Sequence, residues 1–136
     1  MTAARKLPAL EPDTAFFWKS GEDGRLRIQR CTDCHTWQHP PFPRCTSCGS
    51  EAVAPEVVSG RGRVAAYTIN YEPWVPGLEV PFVFASVELE EQAELYVFTN
   101  ILAPFDSVRI GMMVTVLFEQ YEDVWLPMFS PERTDV

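Results

Sequence analysis

Two Cys-x-x-Cys pairs, Cys31/Cys34 and Cys45/Cys48, hold every cysteine in this chain, and ten residues separate the pairs. Two knuckles at this distance can close four thiolates tetrahedrally around one ion. Zn²⁺ favours that arrangement, and four protein thiolates leave no open coordination position for catalysis. A structural Zn²⁺ on Cys31, Cys34, Cys45 and Cys48 is therefore expected, and iron fits the same cage. Two disulfides would need an oxidising compartment, and the start, MTAARKLPALEPD, has no apolar core of an export signal. A redox site needs only one pair, at a strand-to-helix junction. His35 and His39 are the only histidines. Either can replace a thiolate, but four cysteines already fill the shell.

The 136 residues suit one ordinary domain, or a small module joined to a small domain. Residues 1–12 are expected as a flexible arm and 13–58 as an aromatic helix and metal ribbon. Residues 59–131 are expected as a β-barrel and 132–136 as a tail. Asp13 or Thr14 can cap a short helix through Phe16, Phe17 and Trp18, stopped at Gly21. Three consecutive aromatic residues cannot share one helix face. The helix is either sandwiched between two surfaces, or buries one face in this chain and offers the other to a partner, or has one aromatic anchor and two partly exposed rings. Arg25–Arg30 alternates into a short strand, with Leu26 and Ile28 inward. The stiff segment Gln38–Pro43 connects the knuckles. Gly49 suits the left-handed turn after Cys48, where His35 takes the equivalent place in the first knuckle.

From Gly60 onward the period is two. Strands are expected at Arg61–Tyr71, Phe82–Glu90, Leu95–Leu102, Met113–Glu119 and Val124–Phe129. A loop carries Trp74, and a helical turn is expected within Ala103–Gly111. Tyr67, Ile69 and Tyr71 share one face of the first strand; Val83, Ala85, Val87 and Leu89 share the inner face of the second. Pro127 is expected at an edge or strand end. Five strands at about ten-residue spacing with a helical connector after the third suit an oligonucleotide/oligosaccharide-binding (OB) barrel, with an SH3-like barrel as the alternative.

Net charge is −8. Residues 1–60 carry seven Lys/Arg and seven Asp/Glu, whereas residues 61–136 carry four and twelve, so the barrel half holds the whole excess. That field opposes nucleic-acid binding, which needs cations to displace counterions. A single-stranded nucleic-acid binder remains the alternative function, because Tyr67, Tyr71, Trp74, Phe84, Tyr96 and Phe98 offer stacking platforms. No P-loop, G-x-S-x-G, G-x-G-x-x-G or H-E-x-x-H motif is present. A binding or scaffold role is expected, not an enzyme acting by itself. Gly60-Arg61-Gly62-Arg63 is either a phosphate-facing element or a strand entry with a bulge. No apolar run approaches twenty residues, and the expected location is the cytoplasm.

The order of these motifs resembles a known family. Phe16-Phe17-Trp18 precedes Gly24–Cys34 (GRLRIQRCTDC), then the proline connector at residues 40–43, Cys45-Thr46-Ser47-Cys48-Gly49, Ser59–Val64 (SGRGRV), Pro81-Phe82-Val83 and Val108–Met112 (VRIGM). This is similar to domain-of-unknown-function family 35, a rubredoxin-like zinc ribbon followed by an OB-fold, over about residues 13–131. The resemblance implies a non-catalytic accessory subunit that docks on a thiolase-like or sterol-carrier-type thiolase-fold enzyme. It implies support of acyl-CoA turnover by assembly and by binding or channelling of the CoA thioester, in a hetero-oligomer with two copies of each chain. The four cysteines carry over as metal ligands, and His35 departs from the family's glycine. Within that reading, Arg61 and Arg63 are the candidate CoA contacts. Phe16, Phe17, Trp18, Trp37, Phe42 and Trp74 are the candidate partner interface.

Overall fold

The computed structural model describes residues 8–73 and 79–132. The chain runs through α1 (Ala15–Trp18), a 3₁₀ turn (Ser20–Glu22), β1 (Arg27–Cys31), β2 (Trp37–Gln38), β3 (Val53–Val57) and β4 (Arg61–Asn70). It continues through β5 (Phe82–Leu89), β6 (Tyr96–Ile101), a second 3₁₀ turn (Phe105–Ser107), β7 (Met113–Tyr121) and β8 (Val124–Pro131). Strands β2-β1-β3 form a small sheet, and β4-β5-β6-β8-β7 close into a barrel. In that barrel the third strand meets the fifth in parallel, at Ile101 and Phe129. This is the OB order and not the SH3-like alternative.

The barrel follows from its period-2 strands. Val83, Ala85, Val87 and Leu89 are all buried, as their alternation predicts. In β4 the alternation slips at a bulge between Val64 and Ala66, after which Tyr67 and Ile69 lie opposite the inward Ala85 and Val83. Tyr71 falls just beyond the strand and is exposed. The run Val124–Phe129 is buried on both faces. Phe129 enters the barrel core, and Val124, Leu126 and Met128 form a second cluster on the outside, covered by Leu10 and Trp18. Helix α1 thus lies against β8 and lets that strand be apolar throughout.

Pro127 stands in mid-strand opposite Phe118, not at a strand end. It is tolerated because the β6 side of β8 is bridged only at Phe129, so no ladder there requires its missing N–H. Gly21 does not stop the helical segment, which continues as the 3₁₀ turn. A Cβ at Gly21 would lie 2.4 Å from Trp125 Cβ, so glycine is needed for close approach of this turn to β8. Thr14 is the N-cap residue by position, but no side-chain cap bond forms. Ser20 is the buried polar link: its hydroxyl donates to the Phe16 carbonyl (2.9 Å) and accepts from the Arg27 amide (3.0 Å), tying α1 to β1.

Ribbon and barrel share one core. Phe17, Leu26, Ile28, Trp37 and Val58 pack in the same cluster as Val64, Val87, Ile101 and Phe129. Among the described residues no helix is long and apolar enough to cross a membrane.

Candidate metal centre and barrel face

The two knuckles have the same construction. In the first, the Cys31 amide donates to the Thr36 carbonyl and the His35 amide to the Cys31 carbonyl, both at 2.9 Å. In the second, the Cys45 amide donates to Ser50 and the Gly49 amide to Cys45, again at 2.9 Å. Each turn requires a left-handed residue: His35 has φ 66° and Gly49 φ 78°. Backbone amides then point at sulfur, from Cys34 to Cys31 Sγ (3.5 Å) and from Ser47 and Cys48 to Cys45 Sγ (3.3 and 3.5 Å). Such donors stabilise thiolates.

All four sulfurs lie within 4.8 Å of one another. Cys31 and Cys48 are 3.6 Å apart at sulfur, and Cys34 and Cys45 3.5 Å. A disulfide needs about 2.05 Å. A tetrahedron with Zn–S of about 2.3 Å has edges of about 3.8 Å, so the separations fit one tetrahedral ion. Cys31 and Cys45 are buried, while Cys34 and Cys48 face outward. Without a cation the cluster cannot carry four negative charges, and its thiols split. Cys34 is lowered to about 6, chiefly by its hydrogen bond with the Thr36 hydroxyl. For Cys48 the Ser50 backbone bond lowers the pKa, but the neighbouring thiols Cys34 and Cys31 outweigh it and raise it to about 12. A bound dication removes that conflict. Neither histidine belongs to the cluster. His35 is exposed, and the His39 ring packs on Phe17 with centroids 4.6 Å apart and planes tilted by 35°.

Three glutamines, none visible as functional in the sequence, hold the ribbon in place by mimicking a peptide group. Gln29 exchanges two hydrogen bonds with the backbone of Phe42, both 2.8 Å. Gln38 accepts from the Thr46 amide (2.9 Å) beside the second knuckle. Gln92, in the β5–β6 turn of the barrel, accepts from the Trp37 amide and donates to the Trp37 carbonyl, both at 2.9 Å.

The other sequence candidates are scattered. Phe17 and Trp37 are 5% and 8% exposed, so little of either is left for a partner. Phe16 and Trp18 are half-buried against the core, so the triplet is one buried anchor, Phe17, with two partly exposed rings, whereas Phe42 is 56% exposed. Trp74 lies outside the described residues. Arg61 pairs with Glu132 (2.7 Å) and Arg63 with Glu88 (2.6 Å). A Cβ on Gly62, between them, would strike the Glu88 carbonyl oxygen at 2.5 Å, so this glycine serves strand packing. Arg109 donates to the carbonyls of Asp106 and Val108. The outer barrel surface exposes Phe84 and Phe98, stacked with centroids 6.1 Å apart and planes 4° apart.

The sequence model described as the ChsH2 rubredoxin-like zinc ribbon domain matches residues 18–54, and that of the ChsH2 C-terminal OB-fold domain matches 56–119. The chain belongs to the ChsH2 (DUF35) family. This ChsH2-family chain is similar to a solved chain of the "Ltp2-ChsH2(DUF35) aldolase", with a TM-score of 0.82 and 36% identity over 92% of this chain and 98% of that one. It is 39% identical over 132 residues to a probable enoyl-CoA hydratase alpha subunit of Thermomonospora curvata, covering 95% of this chain and 40% of the relative. It is 28% identical over 98 residues to benzoylsuccinyl-CoA thiolase subunit BbsA of Thauera aromatica, covering 67% of each. The chain thus spans about two fifths of the length of the hydratase subunit it matches. The family's homologues are hydratase- and thiolase-associated subunits of acyl-CoA pathways.

Proposed function

We propose that this protein is a non-catalytic, zinc-containing accessory subunit of a thiolase-fold, acyl-CoA-processing complex. The observation that carries the reading is the likeness to the Ltp2-ChsH2(DUF35) aldolase chain, which this chain matches over almost its whole length. A four-thiolate cage adds to it, because such a site is closed to substrate and serves folding. Cys31, Cys34, Cys45 and Cys48 would hold the Zn²⁺, which would fix the two knuckles and supply no chemistry to a reaction.

In this reading the subunit docks in two copies on an enzyme dimer and supports binding of the CoA thioester. Phe42, with the half-buried Phe16 and Trp18 and with Trp74, supplies the apolar contact. Arg61 and Arg63 meet the coenzyme phosphates by exchanging their carboxylate partners. Co-expression with a thiolase-fold enzyme of the same organism tests the assembly. The expected result is co-elution with two copies of each chain by native mass spectrometry, lost in Phe42→Ala while zinc content is kept. Separate elution of the two wild-type proteins would sink the reading. Full assembly of the variant would move the interface off the ribbon. Replacing Arg61 and Arg63 by Ala is expected to weaken acyl-CoA turnover by the complex without unfolding; unchanged kinetics would leave them as barrel ion pairs.

A further inference from the structure

The two knuckles share a pattern that the metal ligands alone do not account for. Each begins Arg-Cys-Thr-x-Cys, as Arg30-Cys31-Thr32-Asp33-Cys34 and Arg44-Cys45-Thr46-Ser47-Cys48, and each is followed by a left-handed residue, His35 or Gly49. In both, the arginine before the first cysteine reaches the carbonyl of that left-handed residue. Arg30 Nε donates to the His35 carbonyl at 2.9 Å, and Arg44 Nη1 donates to the Gly49 carbonyl at 3.2 Å. A carboxylate also pairs with each guanidinium, Glu56 with Arg30 at 3.3 Å and Glu51 with Arg44 at 2.9 Å.

The left-handed conformation is costly for any residue but glycine. A charged donor held on the carbonyl of such a residue favours the turn that aims the carbonyl at it. The same turns point backbone amides at Cys31 and Cys45 Sγ. Fixing the turn therefore fixes the thiolates and their donors before a metal arrives. The two arginines are not equal. The Arg30 side chain is 31% exposed, its guanidinium lies 4.6 Å over the Trp37 ring, and it holds a histidine. The Arg44 side chain is 59% exposed and holds a glycine, which takes this conformation unaided.

We propose that Arg30 and Arg44 are positioning residues of the metal centre, which close the two knuckles around the ion, and that Arg30 is the stronger because it keeps a histidine in a conformation suited to glycine. Both roles require a metal on the four cysteines, and neither depends on a partner enzyme.

The test measures zinc affinity of the full chain by competition with a chromophoric chelator. Methionine in place of arginine keeps a stem of similar length and removes the donor. Arg30→Met is expected to weaken zinc binding about tenfold or more, the usual effect of removing a group that orients metal ligands. Arg44→Met, which removes an exposed contact, is expected to weaken it by less than about fivefold. Gln92→Ala loosens the ribbon away from the cysteines and serves as the control for a purely structural effect. His35→Gly is expected to recover affinity in Arg30→Met beyond any gain it gives in the wild type or in Gln92→Ala, because only loss of Arg30 frees residue 35 from its turn. Equal zinc affinity of Arg30→Met and wild type would overturn the proposal. So would a larger loss from Arg44→Met than from Arg30→Met, or the same effect of His35→Gly in Arg30→Met and Gln92→Ala. A wild-type chain that takes up no zinc would end the metal reading and this proposal together, before any variant is compared.

Discussion

Gln92→Ala isolates the contact by which the barrel grips the ribbon. β2 is two residues long, and Trp37 pairs on one side with Arg30 of β1. On its other side the Gln92 amide takes the place of a neighbouring strand, bonding both Trp37 N–H and C=O at 2.9 Å. Each bond contributes about 1 kcal/mol net, and an orphaned buried partner costs about 1–3 kcal/mol. Trp37 is only 8% exposed, but Gln92 is half-buried, so water reaches part of the gap left by alanine. The expected loss is about 2 kcal/mol, read by urea denaturation of the zinc-loaded protein with tryptophan fluorescence. Gln92→Glu makes the test sharper. A carboxylate keeps the bond from Trp37 N–H but faces the Trp37 carbonyl without a proton to donate. Its folded pKa is therefore raised above the unfolded value near 4.3, and stability lost at neutral pH returns as pH falls through the folded pKa. If both variants match the wild type within about 0.5 kcal/mol at pH 7, or the Glu variant shows no recovery in acid relative to the Ala variant, the clasp carries no energy and the argument fails.

Purified protein is expected to bind about one zinc per chain and to be colourless; Cys31→Ser or Cys48→Ser should lose the metal and unfold the ribbon by circular dichroism, because metal binding and folding are coupled. Two disulfides by mass, or a red iron protein, would contradict it. Gly49 has φ 78° and open space around a new Cβ, so Gly49→Ala is expected to cost about 1 kcal/mol through backbone strain alone, while His35→Gly at φ 66° gains up to about 1 kcal/mol in the same denaturation assay. His39 has its pKa lowered from 6.5 to about 4 by burial, and its Nδ1 is buried without a partner. The unfolded chain then takes up the proton first. Relative to His39→Gln, the wild type should lose up to about 3 kcal/mol as pH falls from 6.5 to 4 and no more below that; parallel pH profiles for the two proteins would refute it.

What could be read from the sequence followed from local rules. Cysteine spacing located the four-sulfur cluster, and two-residue alternation located β5 because every second side chain there enters the barrel. β3 is absent from that reading because its burial does not alternate. Val53 is half-buried, the next four residues are exposed, and Pro55 lies opposite Gln29. The strand exists because β1 needs a second neighbour. Gln29, Gln38 and Gln92 look like surface residues in sequence, since nothing local shows that the opposite group is a lone backbone amide. Pro127 finds its expected edge inside the barrel and not at a strand end, because the single β6–β8 bridge leaves no ladder on that side of β8 there. The aromatic triplet at 16–18 left three outcomes open, and in the fold Phe17 is the buried anchor while Phe16 and Trp18 stay partly exposed beside the apolar outer face of β8.

These links place the metal cluster and the N-terminal helix on one mechanical path. The cluster begins at Cys31, the end of β1, and β1 holds α1 through the Arg27 amide, the Ser20 hydroxyl and the Phe16 carbonyl. Helix α1 in turn places Phe17 in the shared core and Trp18 against β8. A four-thiolate site is closed to substrate, so a metal there acts through position and not chemistry. Four helical residues with no side-chain cap are too short to persist without packing, so α1 depends on both neighbours, the barrel strand β8 and the ribbon strand β1. The aromatic surface is thus built in two parts. Barrel strands fix Phe84 and Phe98, and α1, packed on β8 and tied to β1, carries Trp18. The three described arginines of the barrel are already engaged by carboxylates or carbonyls. An OB-fold that stacks nucleic-acid bases needs aromatic rings inside a cationic groove. Here the rings remain, and among the described residues of the barrel no arginine is left without a carboxylate or carbonyl partner.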